Sequence, residues 1–247
     1  MNSHFRFDIL KFNWQFGLTL ILLFGIPRFL LVLEANRTGS YSFTSLIFVL
    51  MLLTPFLLLK KEGRINIGLK RPGNIKWLFY SFLLGIFACV LIFFLGTYLY
   101  QSTIENWFVY ISNSYGSIPA DGLIGDNRLI YFVIFAVIGM TFSPIGEELL
   151  YRGLIHQSFV PEFGPNKASI IDSVAFAIVH LAHFGLVYVS GSWKILFIPA
   201  VLWMILMFLS SRLFFYCKSK TGSIFGAILC HAGFNLAMTY FIFYHIL

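Results

Sequence analysis

The chain has 247 residues, of which 59% are hydrophobic and only 11% charged, and its formal net charge is +7. A soluble domain carries about 25% charged residues, so the composition excludes an ordinary soluble protein. The apolar residues fall in long blocks, as in a polytopic membrane protein, and a positive charge in such a chain points to loops facing anionic lipid, not to nucleic acid.

The opening stretch, MNSHFRFDILKFNW, shows no cleavable signal peptide. It alternates aromatic and polar residues and reads as an amphipathic segment on the membrane surface, with Arg6 and Lys11 toward the headgroups. Seven apolar segments follow, near 15–33, 42–59, 77–100, 129–150, 168–189, 194–216 and 223–245. Each is long enough for a hydrocarbon core of about 30 Å. The fourth is expected to run on to His156 as one helix, because no breaker precedes Pro161.

Loop charge predicts the orientation. The 60–76 loop holds Lys60, Lys61, Arg64, Lys70, Arg71 and Lys76, and Arg212, Lys218 and Lys220 lie at or near the loop around 217–222. The alternate loops near 34–41, 101–128 and 190–193 are poor in basic residues, and the second carries Glu105, Asp121 and Asp126. The positive-inside rule then gives an all-α transmembrane bundle of about seven spans with its N-terminus inside. Cys89, Cys217 and Cys230 show no pairing pattern. No repeat or second domain is visible, so 1–247 reads as a single membrane domain.

Ionisable groups inside spans are costly and mark functional positions. The fourth span holds Glu147, Glu148 and Arg152; the fifth holds Asp172, His180 and His183; the seventh holds His231 and Asn235. Arg28 lies in the first span. Counted at 1.5 Å per residue from the inner side, His180 falls roughly 18 Å deep, and Glu147 and His231 roughly 13 Å deep. Three helices therefore offer these groups to one cavity, expected to open toward the cytoplasm.

Glu148 and Arg152 are four residues apart and form an ion pair along one helical face. Glu147 is turned about 100° away and has no local basic partner. A carboxylate in a poorly solvated cavity is a candidate general base. His231 and Asn235 share a face, as do Phe176 and His180. Taken singly, His156, His183 and Asn235 read as interhelical hydrogen-bonding groups, Phe176 as packing, and Asp172 as helix-end solvation or support.

The three motifs, Glu147-Glu148-Leu-Leu-Tyr-Arg152, Phe176-Ala-Ile-Val-His180 and His231-Ala-Gly-Phe-Asn235, resemble in order the CPBP family, which covers CAAX prenyl endoproteases and bacteriocin-processing or Abi proteins. Gly153 and the TGSIFGAIL run before His231 add to the likeness. The resemblance covers roughly 128–240, leaving 1–127 as accessory spans and loops. It implies an intramembrane endopeptidase in which Glu147 and His180 activate a water, His231 and Asn235 stabilise the oxyanion, and Glu148, Arg152 and Phe176 support them. The alternative it leaves open is a divalent metal such as zinc on Glu147, His180 and His231; without one, no cofactor is needed. The implied partners are a peptide or protein substrate and the lipid bilayer, with no nucleic acid. The implied setting is a multi-pass protein of a bacterial cell membrane, acting in peptide pheromone or bacteriocin maturation or self-immunity. The runner-up role is a non-proteolytic membrane regulator or immunity partner of a sensor kinase; a proton-coupled transporter lacks the inverted repeat it would need.

Overall fold

The computed structural model describes residues 4–41 and 43–247. Residues 1–3, part of the expected surface segment, and Ser42, at the start of the second expected span, lie outside them, as does the side chain of Asp121. The chain is a bundle of helices: α1 (Trp14–Thr38), α2 (Thr44–Leu58), the short α3 (Lys61–Asn66), α4 (Lys76–Tyr100), the short α5 (Trp107–Ile111), α6 (Gly125–Glu148), α7 (His156–Val179), α8 (Phe197–Thr221) and α9 (Ile224–Phe241). A π-helical stretch, Leu149–Ile155, joins α6 to α7 without a break, and another, Ile242–Ile246, ends α9. Among the described residues five helical stretches are long and apolar enough to cross a membrane; α2 is shorter.

The longest of the five, Gly125–Ala182, has 58 residues and is bent in the middle. Gly164 adopts φ 74° and ψ 165° there, flanked by Pro161 and Pro165. A positive φ suits glycine, and the prolines remove the amide donors that would carry the helix through. The stretch is therefore two antiparallel segments. With α2 they complete the seven segments read from the sequence.

Three boundaries differ from that reading. The fourth segment continues beyond His156 as far as the Gly164 bend. The fifth ends in a 3₁₀ turn, His180–Ala182, and not at 189. Residues Leu186–Val189 and Ser192–Ile195 instead pair as a β-hairpin (β1 and β2) around a Ser190-Gly191 turn with positive φ at both positions. The hairpin docks on α5 through the Tyr188 N–H, which donates to the Tyr110 hydroxyl at 2.9 Å. Burial pushes that phenol's pKa up, so it stays neutral. From His4 to Asn13 the N-terminal segment is not helical. His4 to Arg6 run alongside residues 58–60, with Arg6 N–H donating to Leu58 O and Lys60 N–H to His4 O, and Phe5 is buried.

Helix ends follow local chemistry. Asn13 caps α1 by accepting from Phe16 N–H, and Gly39 closes it in the left-handed region. Ser223 caps α9, and Gly222 ends α8 with φ 66°. The 60–76 loop is stitched to this α8–α9 turn: Ile224 N–H donates to Gly68 O at 2.9 Å, Gly73 N–H to Thr221 O at 2.8 Å, and Ser223 Oγ to Lys70 O at 2.6 Å. Most of the lysine and arginine side chains outside the spans therefore gather at one end of the bundle, hereafter the basic end. The α5 loop and the hairpin form the opposite end.

The tightest packing joins α4 to α9. A Cβ on Gly85 would sit 1.8 Å from Cys230 O, and one on Gly233 would sit 2.2 Å from Phe82 O. The two backbones touch, as small residues allow in membrane bundles. Higher up, Phe93 stacks on Phe241 with centroids 3.9 Å apart. The outward faces carry exposed Phe79, Phe87, Phe94, Ile134 and Leu209, as expected of a lipid-facing surface. Since α9 carries His231 and Asn235, the α4–α9 contact sets where those groups stand. Gly233→Leu is expected to force the helices apart, costing about 1–3 kcal/mol or more by overpacking. The check is a lowered thermal unfolding midpoint in detergent, with Gly25→Leu, at a position that has open space, leaving it nearly unchanged.

Candidate active site

The two adjacent glutamates face different neighbours. Glu147 and Glu148 are the last two residues of α6, and the π-helical stretch begins at the next residue, Leu149. Single π turns of this kind are frequent at functional sites. Both carboxylates are fully buried.

Glu147 faces a cavity of about 230 Å³ that His180, His183, His231 and Asn235 also line. Its partner is one that local spacing does not disclose. Arg28, from α1, donates through Nη2 to Glu147 Oε1 at 3.0 Å, and Ser143 Oγ donates to the same oxygen at 2.6 Å. Arg28 is 2% exposed, with Phe48 under its guanidinium at 5.3 Å. The other oxygen, Oε2, has no hydrogen-bond partner among the described residues and lies 3.8 Å from His180 Nε2.

His180 ends α7. Its Nδ1 is 2.6 Å from Phe176 O, so Nδ1 carries the proton and Nε2 is the bare nitrogen of the neutral ring. That nitrogen is also 3.3 Å from Arg28 Nη2. Trp203 Nε1 donates to the His180 carbonyl at 3.1 Å and fixes this end of the helix. The F-x-x-x-H spacing therefore has a direct meaning: the carbonyl one turn back orients the imidazole.

Glu148 points away from Glu147, toward α8 and α9. Its Oε1 is 2.9 Å from His231 Nδ1, and its Oε2 is 3.1 Å from Arg152 Nε, an ion pair whose alignment is not that of a hydrogen bond. Glu148 therefore does more than neutralise Arg152; it orients His231. The His231 ring stacks on Phe214 with centroids 4.7 Å apart. Arg152 lies 4.3 Å over the Phe176 ring and donates to Ser211 Oγ at 2.6 Å. Beyond it, Asp172 is 4.0 Å from Arg152 Nε and 2.9 Å from His156 Nδ1, and Lys218 Nζ donates to Arg152 O at 2.5 Å. Asp172 and His156 thus belong to the support of the site. Asn235 donates from Nδ2 to Gly139 O at 2.9 Å, which ties α9 to α6 and leaves its second N–H for the cavity.

All four expected catalytic residues line one cavity, and Phe176 lines it with them. Glu148 and Arg152 stand behind it. Glu147 lies seventeen residues before Gly164 and His180 sixteen residues after it, which puts both roughly 25 Å from the bend. Ser143 was not singled out in the sequence, and Arg28 was noted in its span without a partner. An arginine in mid-span was the available signal, but its partner is 119 residues away.

Among the described residues no three His, Cys, Asp or Glu side chains are grouped to hold a metal ion. The Arg28 guanidinium already stands against both Glu147 and His180, where a cation bound to the pair would sit.

Searches of curated proteins and of solved structures found no significant match. Against protein-family models, residues 129–237, the stretch that holds Glu147, His180, His231 and Asn235, match the model described as type II CAAX prenyl endopeptidase Rce1-like.

Proposed function

We propose that the chain hydrolyses a peptide bond in this cavity without a metal, with Glu147 as general base. The observation that carries the reading is the Glu147 Oε2 atom: a buried carboxylate oxygen with no hydrogen bond among the described residues, 3.8 Å from the bare Nε2 of His180. A water held by both has a proton acceptor on one side and an orienting group on the other. Its oxygen attacks the scissile carbonyl carbon while a proton passes to Glu147 Oε2. The carbonyl π electrons move onto oxygen and form the tetrahedral oxyanion. When the C–N bond breaks, the proton on Glu147 passes to the leaving amine.

Three groups support the oxyanion. Asn235 offers its free N–H. His231, held at Nδ1 by Glu148, offers its Nε2 side to the oxyanion. Arg28 acts by charge. In the resting site its cation is balanced by Glu147. Once Glu147 has taken the proton, that cation is free to balance the negative charge growing on the substrate. Donors fixed in place before the reaction, in a site that excludes bulk water, supply much of the rate of such reactions.

The substrate we propose is a peptide delivered at the membrane, in keeping with peptide pheromone or bacteriocin processing. Apolar wall residues, among them Phe48, Trp203, Met207, Phe234 and Met238, suit apolar side chains.

Purified protein in liposomes, given a quenched-fluorescent CAAX-type peptide with and without a farnesyl group, tests the reading. Glu147→Gln and His180→Ala are expected to lower kcat by about 10²-fold or more, with the protein still eluting as a single species. Cleavage at the wild-type rate by both variants would sink the proposal. Arg28→Gln is expected to lower kcat by about 10²-fold with KM little changed, and Arg28→Lys to recover part of the loss; an unchanged kcat removes Arg28 from the chemistry. Treatment with 1,10-phenanthroline is expected to leave the rate unchanged, and a loss restored by added zinc would overturn the metal-free mechanism. Glu148→Gln leaves Arg152 buried without its carboxylate and is expected to cost about 3–5 kcal/mol, seen as a lowered unfolding midpoint together with lost activity.

A further inference from the structure

The cavity has a direction. Along α8 its wall runs from Trp203, roughly 9 Å from the hairpin end of that helix, to Phe214, roughly 26 Å from it. Ile111, Ser114 and Tyr115, from the loop between α4 and α6, cover the end nearest the hairpin, and His183 lies at that same level. Toward the basic end there is no continuation. Glu148, Arg152 and Asp172 fill the next layer with no exposed surface, and Leu154, Ile155, Ile67 and Ile224 close the layer beyond, all fully buried. The 60–76 loop is hydrogen-bonded across that end to the α8–α9 turn. The cavity is thus closed toward the basic end and reaches from the level of His231 and Phe214 past Glu147 and His180 to the loop at the hairpin end, opposite to the expectation of a cytoplasmic opening.

The charge of the two ends is unequal. The basic end carries Lys60, Lys61, Arg64, Lys70, Arg71 and Lys76 in one loop, with Lys218 and Lys220 beside it. Among the described side chains, the hairpin end carries Glu34, Arg37, Glu105, Asp126, Arg128 and Lys194, with acidic and basic groups in equal number. An asymmetry of this size in short loops places the basic end in the cytoplasm.

We infer that the site is entered from the non-cytoplasmic face, and that its substrate is a peptide segment that has already crossed the membrane. The entry route stands on the cavity and the charges alone; the word substrate rests on the peptidase reading. An exported peptide, or the outer part of a membrane-anchored one, meets both conditions: it reaches the open side, and its apolar residues match the wall.

The experiment reads accessibility without catalysis. The native cysteines are buried, so single cysteines report their own positions. Ser114→Cys and Met238→Cys sit in the cavity wall, Lys194→Cys on the exposed hairpin and Lys220→Cys on the exposed basic end. Cells expressing the full chain are treated with a membrane-impermeant methanethiosulfonate. The expected result is labelling at 114, 194 and 238 in intact cells, and at 220 only after permeabilisation. Labelling of 220 in intact cells would show the orientation reversed. Labelling of 194 in intact cells with 114 and 238 both protected would show that the cavity does not open to that face. In a second arm, the quenched-fluorescent peptide is added outside intact cells expressing the wild-type protein or Glu147→Gln. Cleavage that depends on Glu147 supports outer entry of substrate. Cleavage only after permeabilisation overturns the substrate inference and leaves the peptidase reading standing, whereas no Glu147-dependent cleavage under either condition overturns both.

Discussion

Buried charge must be matched by buried charge, and that requirement organises this molecule. Inside a low-dielectric bundle an unpaired carboxylate is too costly to keep ionised. Two adjacent glutamates on one helix therefore require two separate cations, brought from different directions. Arg28 comes from α1 to Glu147; Arg152 comes from the next helical turn to Glu148. Asp172 joins the second set, with Lys218 against the Arg152 carbonyl. The helices that carry these groups meet around the α6–α7 stretch because their charges do. The same arrangement produces the division of labour. One carboxylate keeps an oxygen toward the cavity, while the other is used up in orienting a histidine on α9.

The motifs legible in the sequence were those whose physics is local. Glu148 and Arg152 lie one turn apart, and Phe176 orients His180 through the carbonyl one turn back, so spacing alone discloses both. The seven apolar segments were legible because a helix must remain apolar over a fixed length to cross lipid. The hairpin was not. Leu186–Val189 is as apolar as a span, and only the Ser190-Gly191 pair hints at a turn. The role of Arg28 was not legible either. Nothing in the sequence around residue 28 or residue 147 says that they meet, since only the folding of α1 against α7 brings them together. The helix boundary was hidden for a related reason. The helix containing Glu147 does not end at His156 but runs to Gly164, because Pro161 alone does not stop it and the bend needs the positive φ of Gly164.

Support for the site extends well beyond the residues that face the cavity. His231 is held by Glu148, which is paired to Arg152, which touches Asp172 and Ser211 and lies on the face of Phe176. Each side chain in this series has a neighbour that fixes its orientation. Such a series suits chemistry in which donors must already point at the place where charge appears. The stretch that matches the family model, 129–237, contains nearly all of it. Arg28 and Phe48 lie outside, so the first two helices supply part of the wall that the matched core lacks by itself.

The contact between α4 and α9 has a mechanical consequence. With Gly85 and Gly233 bringing backbone against backbone, these two helices have no slack between them. His231 and Asn235 ride on that stiff pair. Glu147 stands on the opposite side, where α6 meets α2 in the same way: a Cβ on Gly146 would sit 2.5 Å from Phe48 O. The base and the oxyanion groups are thus each carried by a helix pair in backbone contact. An extended chain that lies flat between the two pairs is the shape that disturbs their alignment least.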